Sequence, residues 1–138
     1  MSDQETARHN KPLDILIVDD SATMRAVIRR VIGLTDVAVG TIYEAANGQE
    51  ALKILEAHSV QAVFTDINMP VMTGVELLRE MSTRPAWNET LRIVISTDGS
   101  RLRREEAREL NATLYIEKPF RPEVVRDVLS QIAGAGAC

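Results

Sequence analysis

Residues 15–25 read Ile-Leu-Ile-Val-Asp-Asp-Ser-Ala-Thr-Met-Arg. A run of aliphatic residues stops at two acids. The apolar residues that follow, Met24, Val27, Ile28, Val31 and Ile32, recur at helical spacing and build one stripe. This is a strand passing into a helix, and the pattern repeats along the chain. Further apolar runs stand at Val39–Tyr43, Ala62–Phe64, Leu91–Ile95 and Leu114–Ile116. They are nearly continuous rather than alternating, which predicts strands buried on both faces. Between them, Leu52 and Leu55 with Ala51 and Ile54 mark a helix after the turn Asn47-Gly48. Val75, Leu77, Leu78 and Met81 mark another, capped by Thr73. Val124, Val125, Val128, Leu129 and Ile132 mark the last. Alternating strands and helices imply an α/β fold, a parallel sheet with right-handed crossovers and helices on both faces.

The segment Arg101–Leu110 differs from the other helices. RLRREEAREL offers only Leu102, Ala107 and Leu110 to a core, and the rest is charged. Ser100 can cap it, and its Arg and Glu residues can pair at helical spacing. Two readings stand: a solvated helix, or a weakly anchored one that shifts to present a partner surface. In the polar loop STRPAWNET, the ring of Trp87 is expected to lie over the surface.

The bulk properties exclude several classes. The chain has 138 residues, 45% hydrophobic and 26% charged, which fits one soluble domain. No apolar run approaches the roughly 20 residues of a membrane-spanning helix. The polar start MSDQETARHNKP holds no secretory core. The one cysteine, Cys138, ends a small-residue tail and cannot form an internal disulfide, so a cytoplasmic setting is expected; the chain is also expected to be a monomer. A net charge of −4 argues against nucleic acid as a partner. Residues 1–12 and 133–138 are expected to be flexible ends around a domain at 13–132.

In a doubly wound sheet, ligands bind at the C-terminal strand edge. Asp19 and Asp20 follow the first strand, and Thr65 and Asp66 the third, leading into Ile67-Asn68-Met69-Pro70. Ser96, Thr97, Asp98 and Gly99 follow the fourth, and Glu117-Lys118-Pro119 the fifth. A strand order of 2-1-3-4-5 would bring three carboxylates, a hydroxyl and an ammonium to one edge. Crowded carboxylates repel, and a divalent cation relieves that. With no His or Cys at these positions, an all-oxygen site suits Mg²⁺. A carboxylate can also serve as a nucleophile and form an acyl phosphate. Lys118 and the Ser96 hydroxyl would then stabilise the phosphoryl oxygens. Taken singly, each piece has an ordinary explanation: a helix cap, a turn former, an exposed lysine. The joint pattern is the signal.

ILIVDDSATMR, VFTDINMPVMTGVELL, IVISTDGS and YIEKPF together resemble the receiver domain of two-component response regulators, especially the stand-alone CheY-like members. The resemblance runs from Leu13 to about Ile132. It implies a flavodoxin-like (βα)5 fold with a five-stranded parallel sheet in the order 2-1-3-4-5. It also implies a phosphoacceptor switch rather than an enzyme. Asp66 would take a phosphoryl group from a histidine kinase or a histidine phosphotransfer protein. Asp20 would bind Mg²⁺ directly and Asp19 through water, with the backbone carbonyl of Asn68 and the carboxylate of Asp66 completing the protein ligands. Ser96 and Tyr115 match the switch pair, and Lys118 the phosphate-binding lysine, before a cis Lys118-Pro119 bond. Asn68 and Asp98 match positions that tune self-dephosphorylation. Thr97 stands where many members carry Ala or Gly, and its branched side chain would narrow access. The Arg101–Leu110 helix, strand five and the final helix would form the output face for a protein target, in chemotaxis or a phosphorelay. Two other readings share parts of this pattern. A flavodoxin-like FMN carrier shares the fold, although its phosphate loop would be rich in Gly, Ser and Thr rather than acidic. A phosphatase would need a second acid on the nucleophile loop and a substrate cap.

Overall fold

Strands β1 (Leu13–Val18), β2 (Val39–Ala45), β3 (Ala62–Thr65), β4 (Leu91–Ser96) and β5 (Leu114–Glu117) alternate with five α-helices. These are α1 (Ala22–Gly33), α2 (Gly48–Ala57), α3 (Gly74–Ser82), α4 (Arg101–Glu109) and α5 (Pro122–Ala137). The computed structural model describes residues 12–137. All strand pairs are parallel, in the order β2-β1-β3-β4-β5. This is the flavodoxin-like arrangement the sequence predicts.

The two-residue period of the strands divides the core. On β1, Ile15 and Ile17 join Ile28 and Ile32 of α1, Phe64, Ile93, Ile95, and Val125 and Leu129 of α5. Leu16 and Val18 point the other way, toward Leu55 of α2, Val63, and Leu77 and Met81 of α3. The three inner strands are buried on both sides of the sheet, as a parallel sheet covered by helices requires. The two edge strands are not: most of β2 and β5 is half-buried or exposed. Continuous apolar sequence does not distinguish an edge from a centre.

Each crossover helix begins on a side-chain cap. Ser21, Asn47, Thr73 and Ser100 accept the N–H groups of Met24, Glu50, Glu76 and Arg103. Thr73 and Glu76 form a full capping box. Helix α4 closes in a Schellman motif. Asn111 takes a left-handed φ of 68°, and Ala112 N–H donates to the Ala107 carbonyl.

Several expectations need correction. Trp87 does not lie over the surface. The 3-10 turn Pro85–Trp87 carries its ring into the α2–α3 side of the core, with the Arg84 guanidinium 4.6 Å above it. Leu102 is 73% exposed, so α4 is anchored chiefly by Ala107. Val27, on the α1 stripe, is 42% exposed. The backbone of 133–137 is helical and continuous with α5. Residues 1–11 of the expected N-terminal segment, and Cys138, lie outside the described residues.

Leu77 of α3 is fully buried against β1 and β3. Its replacement by alanine should lower unfolding free energy by about 2–5 kcal/mol. Thr73→Ala should lower it by about 1 kcal/mol, because only the cap is lost. Urea denaturation of both variants checks the ranking.

Candidate functional site

Register brings the acids together. Val18 of β1 lies beside Thr65 of β3, so the next residues, Asp19 and Asp66, leave the sheet as neighbours. The Asp66 N–H donates to the Val18 carbonyl at 2.9 Å, and the Asp19 N–H to the Ala45 carbonyl at 3.0 Å. Carboxylate oxygens of Asp19, Asp20 and Asp66 all lie within 4.8 Å of one another. Asp19 is buried, Asp66 half-buried and Asp20 exposed.

Lys118 reaches this cluster from the end of β5, across β4. Its ammonium donates to Asp19 Oδ2 at 2.8 Å and to Asp66 Oδ2 at 2.9 Å. Burial opposes its charge, but the hydrogen bonds and negative charge of Asp19 and Asp66 outweigh this and hold its pKa above the usual lysine value. One ammonium against three carboxylates still leaves an excess of negative charge. The donors are oxygen only, and Asp20 offers an exposed carboxylate. These residues fit a divalent hard cation such as Mg²⁺.

The loop after β3 is held tightly. Asp66 Oδ1 accepts the Ile67 N–H at 2.6 Å, and the Thr65 hydroxyl donates to the Asp66 carbonyl at 2.8 Å. Gly74 opens α3 against this loop, its N–H donating to the Ile67 carbonyl at 2.8 Å. A Cβ at Gly74 would stand 2.0 Å from the Asp66 carbonyl oxygen, so only glycine fits there. Val71 carries a φ of 68° in a tight turn closed by Met72 N–H to the Pro70 carbonyl. A β-branched residue in that region stores strain, of order 1–3 kcal/mol. Asn68 is exposed in the same loop.

On β4, Ser96 is fully buried and its hydroxyl accepts the Asp98 N–H at 3.1 Å. Thr97, next along, is exposed.

The chain matches the family model for the response regulator receiver domain over residues 15–130. It belongs to that family. A chemotaxis protein CheY homolog of Campylobacter jejuni is 32% identical over 126 residues, covering 91% of this chain and 95% of the relative. Chemotaxis protein CheY1 of Helicobacter pylori is 32% identical over 123 residues, covering 88% and 98%. The structure of the response regulator CheY4 of Vibrio cholerae superposes with a TM-score of 0.79 at 28% identity, covering 88% of this chain and 99% of that one.

In this receiver domain, Tyr115 is half-buried on β5 and its hydroxyl donates to the Asp98 carbonyl. Burial pushes its phenol pKa up. Asp98 is held below the usual carboxylate range by hydrogen bonds from Ser100 and by the Arg103 guanidinium. Two arginines that contact candidate site residues gave no signal in sequence. Arg104 lies 4.8 Å over the Tyr115 ring and donates to the Gly99 carbonyl and to Glu117. Arg25, inside the DDSATMR stretch, donates to the Asp19 carbonyl at 2.6 Å. A charged residue on a solvated helix carries no mark of where its side chain folds back. Gly74 was legible in principle, as a glycine just after the Thr73 cap.

Because the folded pKa of Lys118 is raised, its stabilisation is complete below the unfolded lysine value of 10.5 and is lost as pH rises through the folded one. In metal-free buffer, the stability gap between wild type and Lys118→Met should therefore stay level from pH 7 to 9 and narrow only at higher pH. Urea titrations across that range test this; a gap that closes near neutrality would contradict it.

Proposed function

We propose that this receiver domain accepts a phosphoryl group on Asp66 from the phosphohistidine of a histidine kinase or histidine phosphotransfer protein, and signals by phosphorylation-dependent protein contact. The observation that carries the reading is the Lys118 ammonium shared between Asp19 and Asp66 beside an exposed Asp20.

In the step, a carboxylate oxygen of Asp66 attacks phosphorus, and the bond from phosphorus to the imidazole nitrogen breaks. The imidazole leaves with the electron pair, and an aspartyl phosphate remains. Lys118 stands where it can neutralise the incoming oxygens, and its short bonds to two strands pre-organise it for that role. When bound, Mg²⁺ would supply further charge neutralisation; Asp20, Asp66 and the Asn68 carbonyl would hold it, and Asp19 would do so through water. Asp19 is buried at the end of β1, whereas Asp20 is exposed. That difference supports Asp20 as the direct ligand.

For output, the Ser96 hydroxyl turns from Asp98 N–H toward the phosphoryl group. This loosens the loop that Tyr115 holds through the Asp98 carbonyl. Tyr115 and α4 then move, and α4, β5 and α5 present the changed surface. By their match to the family's tuning positions, Asn68, Thr97 and Asp98 are assigned to setting the phosphoryl lifetime. The relatives named chemotaxis proteins support a chemotaxis role in the cytoplasm, and no helix among the described residues is long and apolar enough to cross a membrane. A flavin-carrier reading is not favoured, because the loop after β1 presents Asp19 and Asp20 where a phosphate would need amide donors.

Acetyl phosphate with Mg²⁺ should label the wild type, and Asp66→Ala should reduce labelling to background, as should EDTA. Labelling that survives either treatment contradicts the assignment.

A further inference from the structure

Every polar group of Asp19 has a partner. Its N–H donates to the Ala45 carbonyl at 3.0 Å, Oδ1 accepts Ser21 N–H at 2.9 Å and Oδ2 accepts Lys118 at 2.8 Å. The fourth group, the carbonyl, accepts Arg25 Nη1 at 2.6 Å. Arg25 rises from the first turn of α1, with its side chain 18% exposed. Its Nε donates to Glu44 Oε1 on β2 at 3.0 Å. The other oxygen of Glu44 takes Arg29 Nε at 2.8 Å, and Arg29 Nη2 donates to the Ile42 carbonyl at 3.0 Å. Burial raises the pKa of Glu44, but the two arginines outweigh it and keep the carboxyl below its usual value. The Arg25 guanidinium is thus fixed at both ends, on a charged anchor in β2 and on one backbone oxygen.

That oxygen belongs to the peptide joining Asp19 to Asp20. Fixing the plane of this peptide fixes the direction in which the Asp20 backbone and side chain leave the strand. We infer that Arg25 is a positioning residue for the cation site: tied to Glu44, it holds the Asp19–Asp20 peptide so that the Asp20 carboxylate faces the metal. This rests on the Mg²⁺ reading of the acidic cluster given above.

Two effects of Arg25 on Mg²⁺ have opposite signs. As a nearby cation it repels a divalent ion, so its removal by charge alone would tighten binding. As a strut it pre-organises a ligand, so its removal loosens binding. Outer-shell partners of metal ligands commonly change affinity 10–100-fold. If Arg25 served only to tie α1 to β2, its loss would lower stability and leave Mg²⁺ affinity unaltered in the folded protein.

Calorimetric titration of the full chain with MgCl₂ separates these cases. Arg25→Gln should raise the Mg²⁺ Kd about tenfold, and saturating Mg²⁺ should restore its rate of labelling by acetyl phosphate. Arg25→Lys, which keeps the charge but reaches only one of the two acceptors, should fall between, and it carries the test should Arg25→Gln not fold. An unaltered or lower Kd in the folded variants overturns the strut while leaving the Mg²⁺ site intact. Wild-type protein that takes up no Mg²⁺ overturns both.

Discussion

An ammonium group that must satisfy two carboxylates on different strands is the constraint around which this molecule is arranged. Lys118 leaves β5, Asp66 leaves β3 and Asp19 leaves β1, and the three meet at 2.8 and 2.9 Å. Asp19 is buried and the Lys118 side chain only 10% exposed, so the charges are largely removed from water. Removing one partner of a buried pair leaves an uncompensated charge, a change that typically costs about 3–5 kcal/mol. The arrangement therefore requires the sheet order β2-β1-β3-β4-β5 and its register, and the register in turn depends on apolar packing on both faces. The core serves the site by fixing where three strands end.

Under the proposed function, the surplus negative charge at this edge would make the site responsive rather than merely stable. Repulsion among Asp19, Asp20 and Asp66 is only partly relieved by Lys118. A bound cation and an incoming phosphoryl group would redistribute that balance. The elements expected to respond are weakly held. Helix α4 buries little beyond Ala107, and its ion pairs Arg101–Glu105 and Arg103–Glu106 lie at the surface, where each is worth at most about 1 kcal/mol. Arg104 ties the Gly99 carbonyl, Glu117 and the Tyr115 ring together, again with partly exposed contacts. A few kcal/mol suffices to shift such a population.

Much of this was legible in the sequence, for physical reasons. Inner strands of a parallel sheet are buried on both sides, so ILIV and IVIS stand out as aliphatic runs. The residues just beyond them reach the C-terminal strand edge by topology alone, which is why Asp19, Asp20, Asp66, Ser96 and Lys118 could be read from spacing. What sequence did not show depends on side chains folding back across elements. Trp87 is drawn inward by a 3-10 turn whose direction the polar loop does not reveal. Arg92, inside an apolar run, is buried, and its guanidinium donates to the Ser82 hydroxyl and the Leu110 and Trp87 carbonyls. Burial without a carboxylate partner among the described residues lowers its pKa. Leu102 suggested a core position and faces water, because α4 meets the sheet along Ala107 instead.

On the proposed reading one particular carboxyl, that of Asp66, forms the acyl phosphate. Aspartyl phosphates are reduced by borohydride to homoserine, which marks the modified residue permanently. After phosphorylation in Mg²⁺ and reduction, peptide mass spectrometry should find homoserine at residue 66 and nowhere else. Reduction products at residues 19 or 20, or none in protein shown to carry phosphate, would contradict the account.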